Sequence, residues 1–198
     1  MDVTVCVPAI ASRVSLLSRL LWTLAPQDVE VIVAAGDGPM GDKLNACFQA
    51  ATTRYVVCVD DDDLITPDFA LRLAGAAGDF VGYRILWTED GRFAGSVSHR
   101  GDGDTSWSTL DRGVSNKCLI ATDLARSVPF GNEYTADRQW CQTVQAQVGA
   151  HSFVDAHLYW YDHWQAHMVG TSPNDGRLGV AQRDVGWWPY DPGRLRWL

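Results

Sequence analysis

The sequence predicts an α/β domain, a mixed sheet that is parallel in its N-terminal half and antiparallel later, with helices on both faces. Three observations carry this reading. Apolar β-rich runs at residues 3–7 and 29–34 flank a leucine-faced helical stretch, a β-α-β opening that implies a right-handed parallel crossover. A third run, residues 55–59, is short, apolar and β-branched, as expected of a strand covered on both faces of a parallel sheet. Asp90-Gly91 then separates two further strand runs, 80–87 and 93–97, as a hairpin turn that marks the change to antiparallel pairing.

Taken in order, residues 3–7 form a buried strand and Pro8 to Arg13 the loop after it. Ser12 is placed to cap a helix whose Leu16, Leu17, Leu20, Leu21 and Leu24 share one face before Pro26 stops it. After the second strand comes Gly36-Asp37-Gly38-Pro39-Met40-Gly41-Asp42-Lys43, close to a phosphate loop. That loop requires Gly-Lys-Ser/Thr, and Asp42 and Leu44 break the pattern, so a P-loop NTPase is excluded. Asp42 instead reads as the cap of a helix burying Leu44, Cys47, Phe48 and Ala51, with Lys43 and Asn45 in its first turn.

The run at 55–59 ends in Asp60, Asp61, Asp62 and Asp63. The carboxyl end of a strand in an open α/β sheet is where ligands bind, and alternating aspartates supply hard oxygen ligands to Mg²⁺ or Mn²⁺. A solvated acidic turn is the plainer alternative. Thr66 and Pro67 favour a tight strand-to-helix turn, with a helix over 67–77 closed by Gly78. Residues 99–110 form a polar, glycine-rich loop around Trp107; position twelve counted from Asp102 is Gly113, which excludes an EF-hand. A strand follows at 115–120, then a short helix capped by Thr122. A further helix runs from a Thr135 cap to about residue 149, with Asp137 in its first turn where the helix dipole favours negative charge. Residues 151–163 read as a strand pair whose histidines do not share one point.

Composition sets outer bounds. At 198 residues with 46% hydrophobic and 20% charged content, the chain is long enough for one full core. A formal net charge of −8 disfavours a general polynucleotide surface. The five cysteines lie in apolar patterns without a Cys-x-x-Cys pair and read as reduced core thiols of a cytoplasmic protein. Neither a signal peptide nor a membrane-spanning run is expected.

The acidic turn at the end of its strand, followed by Thr66-Pro67, resembles the nucleotide-sugar site of glycosyltransferase family 2. The resemblance implies a GT-A-like (Rossmann-like) fold, with a donor half at about 1–98, an acceptor half at 99–170, and an Arg/Trp-rich tail, 171–198, packing on the domain or the acceptor cleft. It implies Asp60 near ribose and base, Asp61 with it in the donor site, and Asp62 as ligand of a Mn²⁺ or Mg²⁺ ion, joined by His163, for which a structural histidine is the other reading. Pro8 and Arg13 match the family's first loop, whereas Ala9, Ile10 and Ala11 depart from it. Asp37 stands slightly late for the family's base-reading acid, and as an Asp in a Gly-rich turn it also fits plain turn chemistry. Lys43 and Asn45 fall where the family contacts the diphosphate, and a solvated lysine fits Lys43 equally well.

Asp137 takes the place of the family's catalytic base, with Ala136 where a Glu is usual; a helix-terminal acid without chemistry is the other reading. Trp107, Glu133 and Arg138 are expected on the acceptor side. The implied activity is metal-dependent, inverting transfer from a nucleotide sugar, UDP-linked by preference, to an acceptor hydroxyl. Saccharide, protein, lipid and modified nucleobase all remain as acceptors. A sugar-phosphate nucleotidyltransferase and a non-catalytic sugar-binding module are the rivals.

Overall fold

The computed structural model describes residues 2–89, 92–104, 111–163 and 195–197, with backbone alone at residues 92, 162–163 and 195–197. Its strands are β1 (Val3–Ala9), β2 (Glu30–Ala35), β3 (Tyr55–Cys58), β4 (Leu64–Ile65), β5 (Phe80–Glu89), β6 (Arg92–Gly101), β7 (Asp111–Gly113), β8 (Leu119–Ala121), β9 (His151–His163) and β10 (Leu195–Trp197). Its helices are α1 (Val14–Leu24), α2 (Met40–Ala50), α3 (Phe69–Leu73), α4 (Thr122–Ser127) and α5 (Ala136–Gln145), with a 3-10 turn at Ala11–Arg13.

The parallel centre is β2-β1-β3, in which Cys6 of β1 pairs with Ile32 on one side and Cys58 on the other. Every residue of β1 and β3 is buried, as their unbroken apolar composition requires. Beyond β3 the sheet turns antiparallel through β8, β5 and β6. β3 therefore has one parallel and one antiparallel neighbour, where the sequence suggested parallel neighbours only. Leu16, Leu17, Leu20 and Leu24 of α1 and Leu44, Cys47 and Phe48 of α2 bury the expected stripes. All five cysteines are buried free thiols. Among the described residues no helix is long and apolar enough to cross a membrane.

Several elements depart from the expected bounds. β1 runs on to Ala9, so Pro8 is a buried strand residue and not part of the loop. The helix expected over 67–77 is only α3, because Gly75, at φ +84, turns the chain through the left-handed region. Of the strand expected at 115–120 only its end pairs; residues 115–118 close a turn through the Cys118 amide and the Ser115 carbonyl, 3.0 Å apart. β9 is one long strand and not a pair. It runs parallel to β5 through two register shifts that absorb its length, and antiparallel to β4. Ser12, Asp42, Thr66 and Thr122 cap no helix; the cap positions belong to Arg13, Pro39, Asp68 and Ala121. From the tail, β10 adds in parallel to the outer edge of β2. The Asp90-Gly91 turn and the remainder of 171–198 lie outside the described residues.

Candidate active site

Four like charges in a row are tolerable only if cations meet them, and two segments supply these cations. Arg13, at the entry to α1, donates from Nη1 to Asp61 Oδ1 at 3.1 Å and to Asp62 Oδ2 at 3.2 Å. The Ile10 amide donates to the other Asp61 oxygen at 2.8 Å, and Arg19 donates to the Asp62 carbonyl oxygen at 2.7 Å. Asp61, 1% exposed, thus ties the loop after β1 to the acidic turn. The sequence assigned Asp61 and Arg13 to the donor; the structure commits both side chains to this tie. Burial pushes the Asp61 carboxyl up, against the lowering pull of the Ile10 amide.

Asp60 and Asp63 are met by Lys117, from the turn that precedes β8. Its ammonium donates to Asp60 Oδ2, to Asp63 Oδ2 at 3.0 Å and to the Tyr159 hydroxyl at 3.0 Å. That hydroxyl donates onward to Asp63 at 2.5 Å. Burial pushes Asp63 up to about 7 while the Lys117 charge pulls it down. Burial opposes the charge on Lys117, but the carboxylates of Asp60 and Asp63 outweigh it and hold the ammonium well above its ordinary range.

Around this network opens a cleft of about 610 Å³, within the usual range for small-molecule sites. Its lining includes Asp60, Lys117, Trp87, His99, Arg112 and Tyr161, together with Phe130, Glu133, Tyr134, Asp137 and Arg138 from the loop before α5 and its first turn. Asp137, Glu133 and Arg138, predicted from sequence, are therefore brought together with Asp60. The Asp137 carboxylate accepts from the Arg138 amide at 2.7 Å in the first turn of α5. α5 is seated by Trp140, which donates to the Val128 carbonyl at 2.7 Å and lies 5.6 Å from the Phe48 ring and 5.4 Å from that of Phe130.

Other predicted residues hold the scaffold. Asn45, expected at the diphosphate, instead uses both ends of its amide on Phe130, donating to its carbonyl at 2.9 Å and accepting from its amide at 2.8 Å. Asp42 accepts from Asn132 at 3.0 Å. α2 thereby grips the loop that forms the Asp137 side of the cleft. Gly41 permits that approach, since a Cβ there would sit 2.1 Å from the Gly131 oxygen. Lys43 donates to the Ala9 carbonyl at 2.7 Å and also to that of Gly36, joining the ends of β1 and β2. Pro8 is sealed inside β1. Asp37 stands just past β2, exposed in the turn that leads to α2. Trp107 and the His163 side chain lie outside the described residues.

The acidic turn fits a hard divalent cation in donor type. Among the described residues no three His, Cys, Asp or Glu side chains converge on one point. An ion of the magnesium kind takes one or two carboxylates and completes its shell with substrate phosphate and water.

Sequence reasoning missed Lys117, Tyr159, His99 and Arg112. A signal for Lys117 was available, because a lysine inside a run read as buried strand demands an acid partner.

Comparison with known proteins bears on this geometry. The model of the family described as Glycosyl transferase family 2 matches residues 23–93, which include the acidic turn and stop short of Lys117 and Asp137. No curated protein matches the chain. Among solved structures, S. aureus TarS 1-349 in complex with UDP superposes with a TM-score of 0.66 at 17% identity, over 82% of this chain and 61% of that one. The mannosyltransferase PcManGT from Pyrobaculum calidifontis, in complex with GDP-Man and Mn²⁺, gives 0.55 at 16%, over 93% and 61%. A putative glucose-1-phosphate thymidylyltransferase from Bacillus anthracis gives 0.54 at 8%, over 93% and 98%. The chain spans about 60% of the TarS fragment. The family 2 match at residues 23–93 thus lies within a fold that is similar to the GT-A fold of TarS.

Proposed function

We propose that this chain is a glycosyltransferase that moves a sugar from a nucleotide-sugar donor to an acceptor hydroxyl, with inversion at the anomeric carbon. The observation that carries the reading is that a single cleft is lined by both Asp60, at the carboxyl end of the central strand, and Asp137, at the start of α5. Donor features fall in residues 1–98, where the family segment lies, and acceptor features in 99–170. The nucleotide would lie across the strand ends beside Asp37 and Asp60. TarS with UDP and PcManGT with GDP-Man supply the analogy for such a donor, and a UDP-sugar is the preferred candidate.

Asp62, with His163 at the end of β9, would hold a Mn²⁺ or Mg²⁺ ion, which supplies charge neutralisation for the departing diphosphate. The protein's own groups do the rest. Asp137 accepts the proton of the acceptor hydroxyl as its oxygen forms the new bond to the anomeric carbon. The bond from that carbon to the diphosphate oxygen breaks, and the electron pair leaves with the nucleoside diphosphate. Glu133, Arg138 and Tyr134 border the acceptor's entry.

The test is nucleoside diphosphate release and thermal stabilisation with a panel of UDP- and GDP-sugars, in Mn²⁺ and in EDTA. Release and stabilisation in Mn²⁺, lost in EDTA, is the expected result. No stabilisation and no release with any donor would end the reading, and equal stabilisation in EDTA would remove the metal role of Asp62. The thymidylyltransferase likeness makes a nucleotidyltransferase the second reading. It requires pyrophosphate release from a nucleoside triphosphate and a sugar 1-phosphate, and the loop from Ile10 to Arg13 lacks the glycine-rich basic character that such chemistry uses.

A further inference from the structure

Lys117 lies outside the family segment, 54 and 57 residues from the carboxylates that it joins. It is 7% exposed, yet it lines the cleft beside Asp60. An ammonium has three protons, and the three acceptors named above, Asp60, Asp63 and the Tyr159 hydroxyl, use them all. The rings of Tyr159 and Tyr161, 5.1 and 5.2 Å away, lie close enough for cation–π contact. No proton is left for a ligand, so Lys117 acts on what touches the ligand.

Neutralising the buried Asp63 would not by itself require a contact that reaches the cleft wall. The contact to Asp60 does reach it. It takes Oδ2 and, among the described residues, leaves Oδ1 with only the weak Cys58 thiol at 3.7 Å, so that one oxygen of a fixed carboxylate can accept hydroxyl protons from a ligand. The Asn116 carbonyl accepts from the Cys58 amide at 2.8 Å, fastening the Lys117 turn to the end of β3.

We propose that Lys117, braced by Tyr159 and Asp63, is a positioning residue that fixes the Asp60 carboxylate for the hydroxyls of a bound nucleoside diphosphate sugar. This rests on the donor reading above.

Lys117→Met alone strands Asp63 as a buried unpaired charge and endangers folding. The decisive comparison is therefore Asp63→Asn against the double variant Asp63→Asn/Lys117→Met, which removes one charge of each sign from wild type. UDP and GDP affinities are measured by calorimetry in Mn²⁺, with donor and acceptor KM determined alongside. The double variant is expected to bind the cognate nucleoside diphosphate at least about tenfold more weakly than Asp63→Asn, the cost of one hydrogen bond to a charged acceptor. Donor KM should rise with it while acceptor KM holds.

Tyr159→Phe, which keeps every charge and removes one brace, should weaken the donor about threefold, a cost below that of one lost hydrogen bond. It decides the matter if the double variant does not fold. Unchanged nucleotide affinity in the double variant, or in Tyr159→Phe where that is the deciding variant, overturns the inference and leaves Lys117 a counter-ion of the core. Wild-type protein that binds neither UDP nor GDP overturns the donor reading instead, so the two failures are distinct.

Discussion

His99 gives the fold a built-in acid sensitivity that can be worked out from its surroundings. It stands on β6 at the cleft wall, 4% exposed, with Nδ1 3.0 Å from the Gly113 carbonyl oxygen. That contact makes Nδ1 the protonated nitrogen of the neutral ring. Burial lowers its pKa from 6.5 to about 4, helped by the charges of Arg112 and Lys117 and opposed by the Gly113 carbonyl. With the folded value below the unfolded one, the unfolded chain binds the extra proton between them. This group's contribution is therefore complete above about pH 6.5 and is lost as pH falls toward 4. The full shift corresponds to about 3 kcal/mol, of which about 2 kcal/mol is gone by pH 5. In a domain of this size that is about 5 °C of Tm.

The perturbation is His99→Gln, whose amide can still donate to Gly113 but does not titrate. Urea unfolding of both proteins at pH 7.5 and pH 5.0 gives the double difference, in which carboxylate contributions common to both cancel. Asp63 is one of these, acting in the opposite sense because its folded pKa is raised. The variant is expected to lose about 2 kcal/mol less than wild type over this interval. Equal losses in the two proteins would refute the account of His99 as a buried neutral imidazole.

Two further outcomes are expected. Asp137→Asn keeps the shape at the start of α5 but cannot take a proton, so kcat should fall by roughly 10²–10⁴, with nucleotide affinity unchanged in calorimetry. Transfer at the wild-type rate would reduce Asp137 to a helix-terminal acid and move the search for the base to Glu133. Asn45→Ala leaves the amide and carbonyl of Phe130 without their partner. Chemical denaturation should show a loss of about 1–3 kcal/mol, with acceptor KM rising more than donor KM because the loosened wall is the Asp137 side. A larger rise in donor KM would return Asn45 to the diphosphate.

What the sequence disclosed of this molecule divides along the range of the interactions concerned. The Leu16 to Leu24 stripe of α1 and the run entering Asp60 are visible because strand and helix periods are local, and burial then obeys them. The capping assignments at Ser12, Asp42, Thr66 and Thr122 were local too, yet they failed. Tertiary packing set other fates for such side chains, as when Asp42 takes Asn132 from across the fold and Thr122 donates to the Thr53 carbonyl at 2.8 Å. β9, read from sequence as a pair, exceeds ordinary strand length at 13 residues, and its pairing with β5 through two register shifts lets it run on.

The same logic governs the site. The four aspartates announce a need for cations, but the sequence cannot say which cations meet it, since charge pairing across 48 to 57 residues is decided by topology. The topology assigned Arg13 and Lys117, one to each pair of acids. Of the residues that sequence placed on the donor, Arg13, Lys43 and Asn45 hold the loops in position. The carboxylate left facing the cleft, Asp60, owes its fixed orientation to a lysine that no local pattern connects with it.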